Sequence, residues 1–237
     1  MSRVVPENLC YMPWSSLTLL PDGRITTCCA SLGKGDELGN SKKGDSLLDV
    51  WHGDKLKKVR EQFLAGEWPK GCLACKKRHT SGLASQKDHY YSVLKGHNLI
   101  ESIDLESNNL QPLYLDLAFS NVCNLSCRMC SSVFSSKWIS VDRHLLEAGF
   151  QHLSEHALAD SSTETDFRAI ASLLPELPHL HIVVIKGGEP LLSKHFVQFL
   201  RVLTDKGYAQ NIELKMTTNG TIPPSEEVIG LFKEFKK

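Results

Sequence analysis

The feature that most constrains this sequence is an apolar run ending in a cysteine-bearing loop. Leu113-Tyr114-Leu115-Asp116-Leu117-Ala118-Phe119 reads as a strand, and Cys123, Cys127 and Cys130 follow it. Short apolar runs bounded by turn residues fit strands covered on both faces. The i, i+4, i+7 spacing would also place three residues on one helical face, where free cysteines act as small hydrophobes. Asn121, Asn124 and Ser126 interrupt the segment as a loop does, not as a helix core does. Thiolates are soft ligands that suit Fe–S clusters, zinc or Cu(I). Structural zinc usually takes four protein ligands, and this loop offers three. A four-iron cluster on three thiolates keeps one iron open to a substrate or cofactor, provided no fourth residue joins.

Downstream, strands and helices alternate, which implies a parallel sheet with crossover helices. Phe134, Trp138, Val141, Leu145 and Ala148 fall on one helical face, and Gly149 is placed to end that helix. A short helix is expected over residues 163–174, starting at Thr163 or Thr165 and closed by Pro175. His181-Ile182-Val183-Val184-Ile185-Lys186 is a β-branched run typical of a buried parallel strand, and Gly187-Gly188-Glu189-Pro190 follows it directly. Ser193 caps the next predicted helix, which reaches Asp205 with Gly207 as its stop. Ile212, Leu214 and Met216 mark a third strand ending in Thr217-Thr218-Asn219-Gly220, and a last helix runs from about Ser225. Ligand sites in such folds gather at the C-terminal strand ends, where the cysteines, the Gly-Gly-Glu-Pro segment and the Thr-Thr-Asn-Gly segment all lie. Taken alone, the glycine pair and the Asn-Gly pair also read as ordinary tight turns.

The N-terminal region reads as a small metal-stapled module. Leu17–Leu20 and Arg24–Thr27 flank Pro21-Asp22-Gly23, which is a hairpin signal. A helix is expected over residues 54–65, with Leu56, Val59, Phe63 and Leu64 on one face and Gly66 as its stop. Cys10, Cys28, Cys72 and Cys75 then form a four-cysteine set, in which Cys29 could replace Cys28. Side chains alternate along a strand, so only one of that adjacent pair faces a common site. On spacing alone, four thiolates suit zinc as well as iron–sulfur. Residues 79–112 read as a connector with a helix from Leu83 to Leu94 ended by Gly96; His79, His89 and His97 read as solvated surface residues.

Cys123, Cys127 and Cys130 after a first strand, with Met129 before the last cysteine and Gly187-Gly188-Glu189 after the second strand, resemble the radical S-adenosylmethionine (SAM) enzymes. Cys10, Gly23, Cys28 and the Cys72/Cys75 pair resemble the auxiliary-cluster domains called SPASM and twitch, with the twitch form the better match. The expected fold is α/β: a partial (β/α) radical SAM barrel of about three βα units out of six, preceded by a small α+β cysteine-rich domain. The expected divisions are 1–80 for the auxiliary domain, 81–110 for the connector and 111–237 for the N-terminal half of the barrel. The resemblance implies a [4Fe–4S] cluster on Cys123, Cys127 and Cys130 that binds SAM. It implies Gly187, Gly188, Glu189, Pro190 and Met129 around SAM, with Thr218 and Asn219 lining its ribose. It also implies an auxiliary [4Fe–4S] cluster on Cys10, Cys28, Cys72 and Cys75, with zinc as the alternative there. No catalytic acid, base or nucleophile is assignable. The implied partners are a reductant protein such as flavodoxin or ferredoxin, and a peptide or small-molecule substrate.

Lys+Arg and Asp+Glu are equal at 27 each, so nothing suggests the basic stripe of a nucleic-acid binder. No apolar run is long enough for a membrane span, and the N-terminus lacks a secretory h-region. Eight cysteines in such a chain point to metal or redox use and a cytoplasmic setting, away from disulfides. The pattern ends inside a helix after three units, so a complete form about a hundred residues longer is expected, and a half-barrel is expected to leave a parallel edge unpaired and its inner face exposed. The runner-up function is a non-catalytic iron–sulfur or zinc protein split from such an enzyme.

Overall fold

The computed structural model describes residues 5–31, 37–107, 110–150 and 164–236. Its centre is a sheet in which the predicted hairpin, β1 (Ser16–Leu19) and β2 (Arg24–Thr26), is joined edge-on to the three strands of the C-terminal half. Those are β4 (Tyr114–Ala118), β5 (Ile182–Lys186) and β6 (Glu213–Met216). With β3 (Gly39–Asn40) the order is β3-β2-β1-β4-β5-β6, where β1, β4, β5 and β6 are parallel and the β1/β2 and β2/β3 pairs antiparallel. Pairing of Ser16 with Tyr114 through Leu19 with Leu117 sets the register of the junction. The N-terminal hairpin therefore extends the barrel sheet. One edge of the three-stranded run, at β4, is taken by β1, and the other edge, at β6, has a single parallel bridge, between Glu213 and Lys236.

Alternation along the strands divides the core. Leu17, Leu19, Leu115, Leu117, Val183 and Ile185 face one side and pack in a single apolar cluster with helices on that face. Helix α1 (Met12–Ser15) leads into β1; α2 (Leu47–His52) and α3 (Asp54–Leu64) follow β3 and contribute Trp51, Leu56 and Phe63 to this cluster. Further along, α8 (Lys194–Asp205) contributes Phe196, Phe199, Leu200 and Leu203, an i, i+3, i+4, i+7 stripe. Full burial of such a side chain contributes about 1.5–3 kcal/mol. Ser193 caps α8 by accepting from the Phe196 amide, as the sequence predicts. On the opposite face, Tyr114 and Ile182 meet Met12, Cys28, Tyr90, Leu94 and Leu99. Tyr90 and Leu94 belong to α5 (Gln86–Gly96), which starts at a capping box on Ser85 and covers part of the inner face expected to stand open.

Three sequence expectations need correction. The helix after the cysteine loop, α6 (Ile139–Glu147), does not bury its apolar positions: Val141 is exposed and Leu145 half-buried, while Asp142 is the buried residue because its carboxylate accepts the Ser132 amide at 2.8 Å. The helix expected over 163–174 is the shorter α7 (Phe167–Ala171), capped by Asp166 and followed by a 3₁₀ segment through Pro175 and Pro178; Thr163 lies outside the described residues. His97 is not a solvated histidine, since its Nε2 lies 2.6 Å from Glu213 with the ring mostly covered. The last elements, α4 (Leu73–Thr80) and α9 (Glu226–Lys233), the latter capped by Ser225, fall where the pattern placed a cysteine knuckle and a terminal helix. Among the described residues no helix is long and apolar enough to cross a membrane.

Candidate metal centre

Because β4, β5 and β6 run parallel, the loops leaving their C-terminal ends lie side by side. The loop after β4 carries Cys123, Cys127 and Cys130; those after β5 and β6 carry residues 187–190 and 217–220. Gly187 and Gly188 have φ of +77° and +56°, which side chains rarely adopt. A Cβ on Gly188 would lie 2.4 Å from the Val122 carbonyl oxygen, and one on Gly187 2.7 Å from the Ala118 Cβ. Absence of side chains lets the backbones meet: the Gly188 amide donates to Phe134 O at 2.9 Å and the Glu189 amide to Val122 O at 2.8 Å. The glycine turn is thus fastened to both ends of the cysteine loop.

Glu189 is fully buried. Its carboxylate accepts from the Thr218 hydroxyl at 2.9 Å to each oxygen, from the Asn219 amide at 2.8 Å and from the Leu191 amide at 3.2 Å. Charge-assisted bonds of this kind are about twice as strong as neutral ones. Three residues that the sequence assigned to a ligand are therefore bonded to one another, clasping the ends of β5 and β6. Pro190 is buried and opens the 3₁₀ turn that leads to α8. Met129 is 94% exposed.

The cysteine loop is held through its backbone. Ser135 Oγ donates to Leu125 O at 2.6 Å, the Ser136 amide to Asn121 O at 2.7 Å, and Trp138 Nε1 to Cys127 O at 2.9 Å. Asn121 is buried and its amide donates to Ser132 O, whose own amide is the one Asp142 accepts. The sequence missed these supports: Trp138 read as a core position of a helix and Asn121 as a loop-breaker. Cys127 is exposed, whereas Cys123 and Cys130 are half-buried. Burial raises the Cys130 thiol above its ordinary value, and the neighbouring Cys127 and Cys123 raise it further, so the three sulfurs are within electrostatic reach.

The second set is packed differently. Cys28 and Cys75 are buried, Cys10 and Cys72 half-buried. Burial pushes the Cys10 thiol up to about 12, with Cys75 adding to the rise. Cys28 lies well above the ordinary range, chiefly from burial and then from Cys10 and Cys72. Cys29 turns elsewhere, with its sulfur 3.1 Å from the Tyr90 hydroxyl and close enough to Asp116 to favour its carboxylate. Asp116 is itself buried and paired with Lys186 at 2.6 Å. Of the adjacent pair, Cys28 is the one electrostatically joined to Cys10 and Cys72.

Among the described residues, no three His, Cys, Asp or Glu side chains converge tightly enough to hold a metal as they stand. The thiols of each set are neighbours all the same, and all are soft donors. The glycine turn, which a Cβ would block, packs directly against the backbone of the loop that carries Cys123, Cys127 and Cys130. The donor set therefore fits sulfur-ligated metal at both places. Comparison with known families is consistent with this chemistry. The family model of the radical SAM superfamily matches residues 117–236, and that of SPASM, an iron–sulfur cluster-binding domain, matches residues 10–76. No curated protein and no solved structure matches the chain.

Proposed function

Because the chain belongs to the radical SAM superfamily, with a SPASM-type domain ahead of its radical SAM domain, we propose that it is a radical SAM enzyme that holds a [4Fe–4S] cluster on Cys123, Cys127 and Cys130. Such a cluster, when bound, supplies the electron for reductive cleavage of SAM, whose 5′-deoxyadenosyl fragment takes a hydrogen atom from the substrate. The observation that carries this reading is the fastening of the glycine turn at 187–188 to both ends of the three-cysteine loop. That turn keeps backbone carbonyls beside the loop, where the ammonium of SAM's methionyl group is recognised. Glu189 fixes the strand ends, and Thr218 and Asn219, held by it, stand where the ribose side of the ligand is expected. Cys10, Cys28, Cys72 and Cys75 are assigned to an auxiliary [4Fe–4S] cluster, with zinc as the alternative metal. The substrate is a peptide or a small molecule, and the electron donor a reductant protein such as flavodoxin or ferredoxin. Eight cysteines, seven of them in metal-ligand spacings, support a reducing, cytoplasmic setting.

Solvent exposure of Cys127 and Met129 favours one competing reading, a non-catalytic iron–sulfur or zinc protein, since radical chemistry needs water excluded. Iron, sulfide and zinc analysis after anaerobic reconstitution tests the cluster assignments. About eight irons per chain are expected for two cubanes. About four irons with about one zinc would reassign the N-terminal set to a structural metal. A chain without iron would contradict the proposal.

A further inference from the structure

Asn219 is engaged in a way that a ribose contact does not require. Its Oδ1 accepts from the Thr221 amide at 2.9 Å and from the Thr221 hydroxyl at 2.6 Å. A backbone N–H can only donate, so this bond fixes which end of the carboxamide is oxygen. The Nδ2 end therefore faces the cysteine loop, donating to Asn124 Oδ1 at 2.8 Å and to Cys123 Sγ at 3.7 Å. Asn124 closes the circuit by donating from its own Nδ2 to Thr221 Oγ1 at 2.8 Å. Asn219, Asn124 and Thr221 thus form a ring in which every polar atom of the Asn219 carboxamide is used. Its backbone is held in turn by Glu189. Cys123 Sγ also receives the Leu125 amide at 3.5 Å.

We propose that Asn219 is a positioning residue for the iron–sulfur site, acting through its N–H···S bond to Cys123 to raise the reduction potential of the cluster. This rests on the assignment of a cluster to Cys123, Cys127 and Cys130. The physical reason is charge. Reduction adds an electron shared over the cluster and its thiolates, and a donor aimed at one thiolate stabilises the more negative state. The ring makes the donor rigid, so the N–H is held toward the sulfur without reorganisation when the electron arrives. Glu189 acquires a further role as the anchor of that donor, at the far end of a path from the β5 turn through the Asn219 backbone to the Cys123 sulfur.

The test is a redox titration of the reconstituted full chain, followed by the EPR signal of the reduced cluster. The relevant signal is the one lost in Cys127→Ala. Asn219→Asp keeps an acceptor for Thr221, replaces the donor with an oxygen and adds a negative charge that itself disfavours reduction, so the uncharged Thr221→Val separates the donor from the charge. Asn219→Asp is expected to lower the ratio of reduced to oxidised cluster at fixed potential about tenfold, equivalent to about 59 mV for one electron. Thr221→Val, which unlocks the ring but leaves the donor, is expected to lower the ratio by about two- to threefold, in keeping with the loss of a supporting bond alone. A ratio unchanged in Thr221→Val at wild-type iron content overturns the inference, whatever the ratio in Asn219→Asp. Where Asn219→Asp holds no iron, an unchanged ratio in Thr221→Val overturns it alone. No Cys127-dependent signal in the wild type would instead remove the cluster assignment, and the inference with it.

Discussion

The two cysteine sets are held in opposite ways. In the first set Cys28 and Cys75 are buried and Cys10 and Cys72 half-buried, and burial raises the Cys10 and Cys28 thiols well above their ordinary value. The set at Cys123, Cys127 and Cys130 lies on a loop at the rim, supported through backbone carbonyls and a glycine turn, with Cys127 facing solvent. Four thiols ligating together at the first set would make a closed site, with no position left for a ligand from outside. A rim loop with three thiols makes an open one. Closed sites suit structural or electron-storing metal, and open sites suit chemistry on a bound molecule.

That contrast can be broken first at the glycine turn. Gly188→Ala forces a Cβ to 2.4 Å from the Val122 carbonyl at a φ of +56°. We expect a loss of about 3 kcal/mol or more in urea unfolding and iron lost from the loop set alone, as counted after reconstitution. Substitution of the cysteines themselves should separate the sets next. Cys28→Ser puts a hydroxyl into a buried apolar position and should cost about 1–3 kcal/mol even without metal. Cys127→Ser, at an exposed position, should leave the unfolding midpoint within about 0.5 kcal/mol of wild type while removing the same share of iron. Equal stability losses in the two would show that the difference in packing has no energetic consequence.

Smaller effects sharpen the picture. Glu189→Gln keeps the size of the clasp but turns charge-assisted acceptors into neutral ones, with one oxygen becoming a donor beside the Asn219 amide. A loss of about 1–2 kcal/mol is expected, together with weaker iron retention in the loop set under chelator challenge. Cys29→Ala removes the Tyr90 and Asp116 contacts and should cost about 1 kcal/mol with iron content unchanged. Iron loss in Cys29→Ala, with full loading of Cys28→Ser, would reverse which of the adjacent pair belongs to the buried set.

Much of this was legible in the sequence for a physical reason. Parallel strands covered on both faces leave continuous apolar runs, so β4 and β5 stand out at Leu113–Phe119 and Ile182–Lys186, and turn residues at their ends mark the rim. Gly187 and Gly188 carried a conformational demand that the positive φ values match. What stayed hidden depended on register between distant segments. Nothing local shows that Ser16 pairs with Tyr114, yet that pairing merges the hairpin with the barrel sheet. The Asn124–Asn219–Thr221 ring joins residues 95 and 97 positions apart and exists only because β4, β5 and β6 align their ends. At α6 the apolar periodicity misled, because a single hydrogen bond from Ser132 turned the Asp142 face inward.

Cleavage of SAM at the rim loop is measured by anaerobic incubation of the reconstituted chain with dithionite and SAM, following 5′-deoxyadenosine and methionine. Both products are expected in equal amounts from the wild type and neither from Cys127→Ala, with auxiliary iron retained in that variant. Wild-type chain that holds its iron at Cys123, Cys127 and Cys130 and still yields no 5′-deoxyadenosine would contradict the assignment of SAM cleavage to this loop.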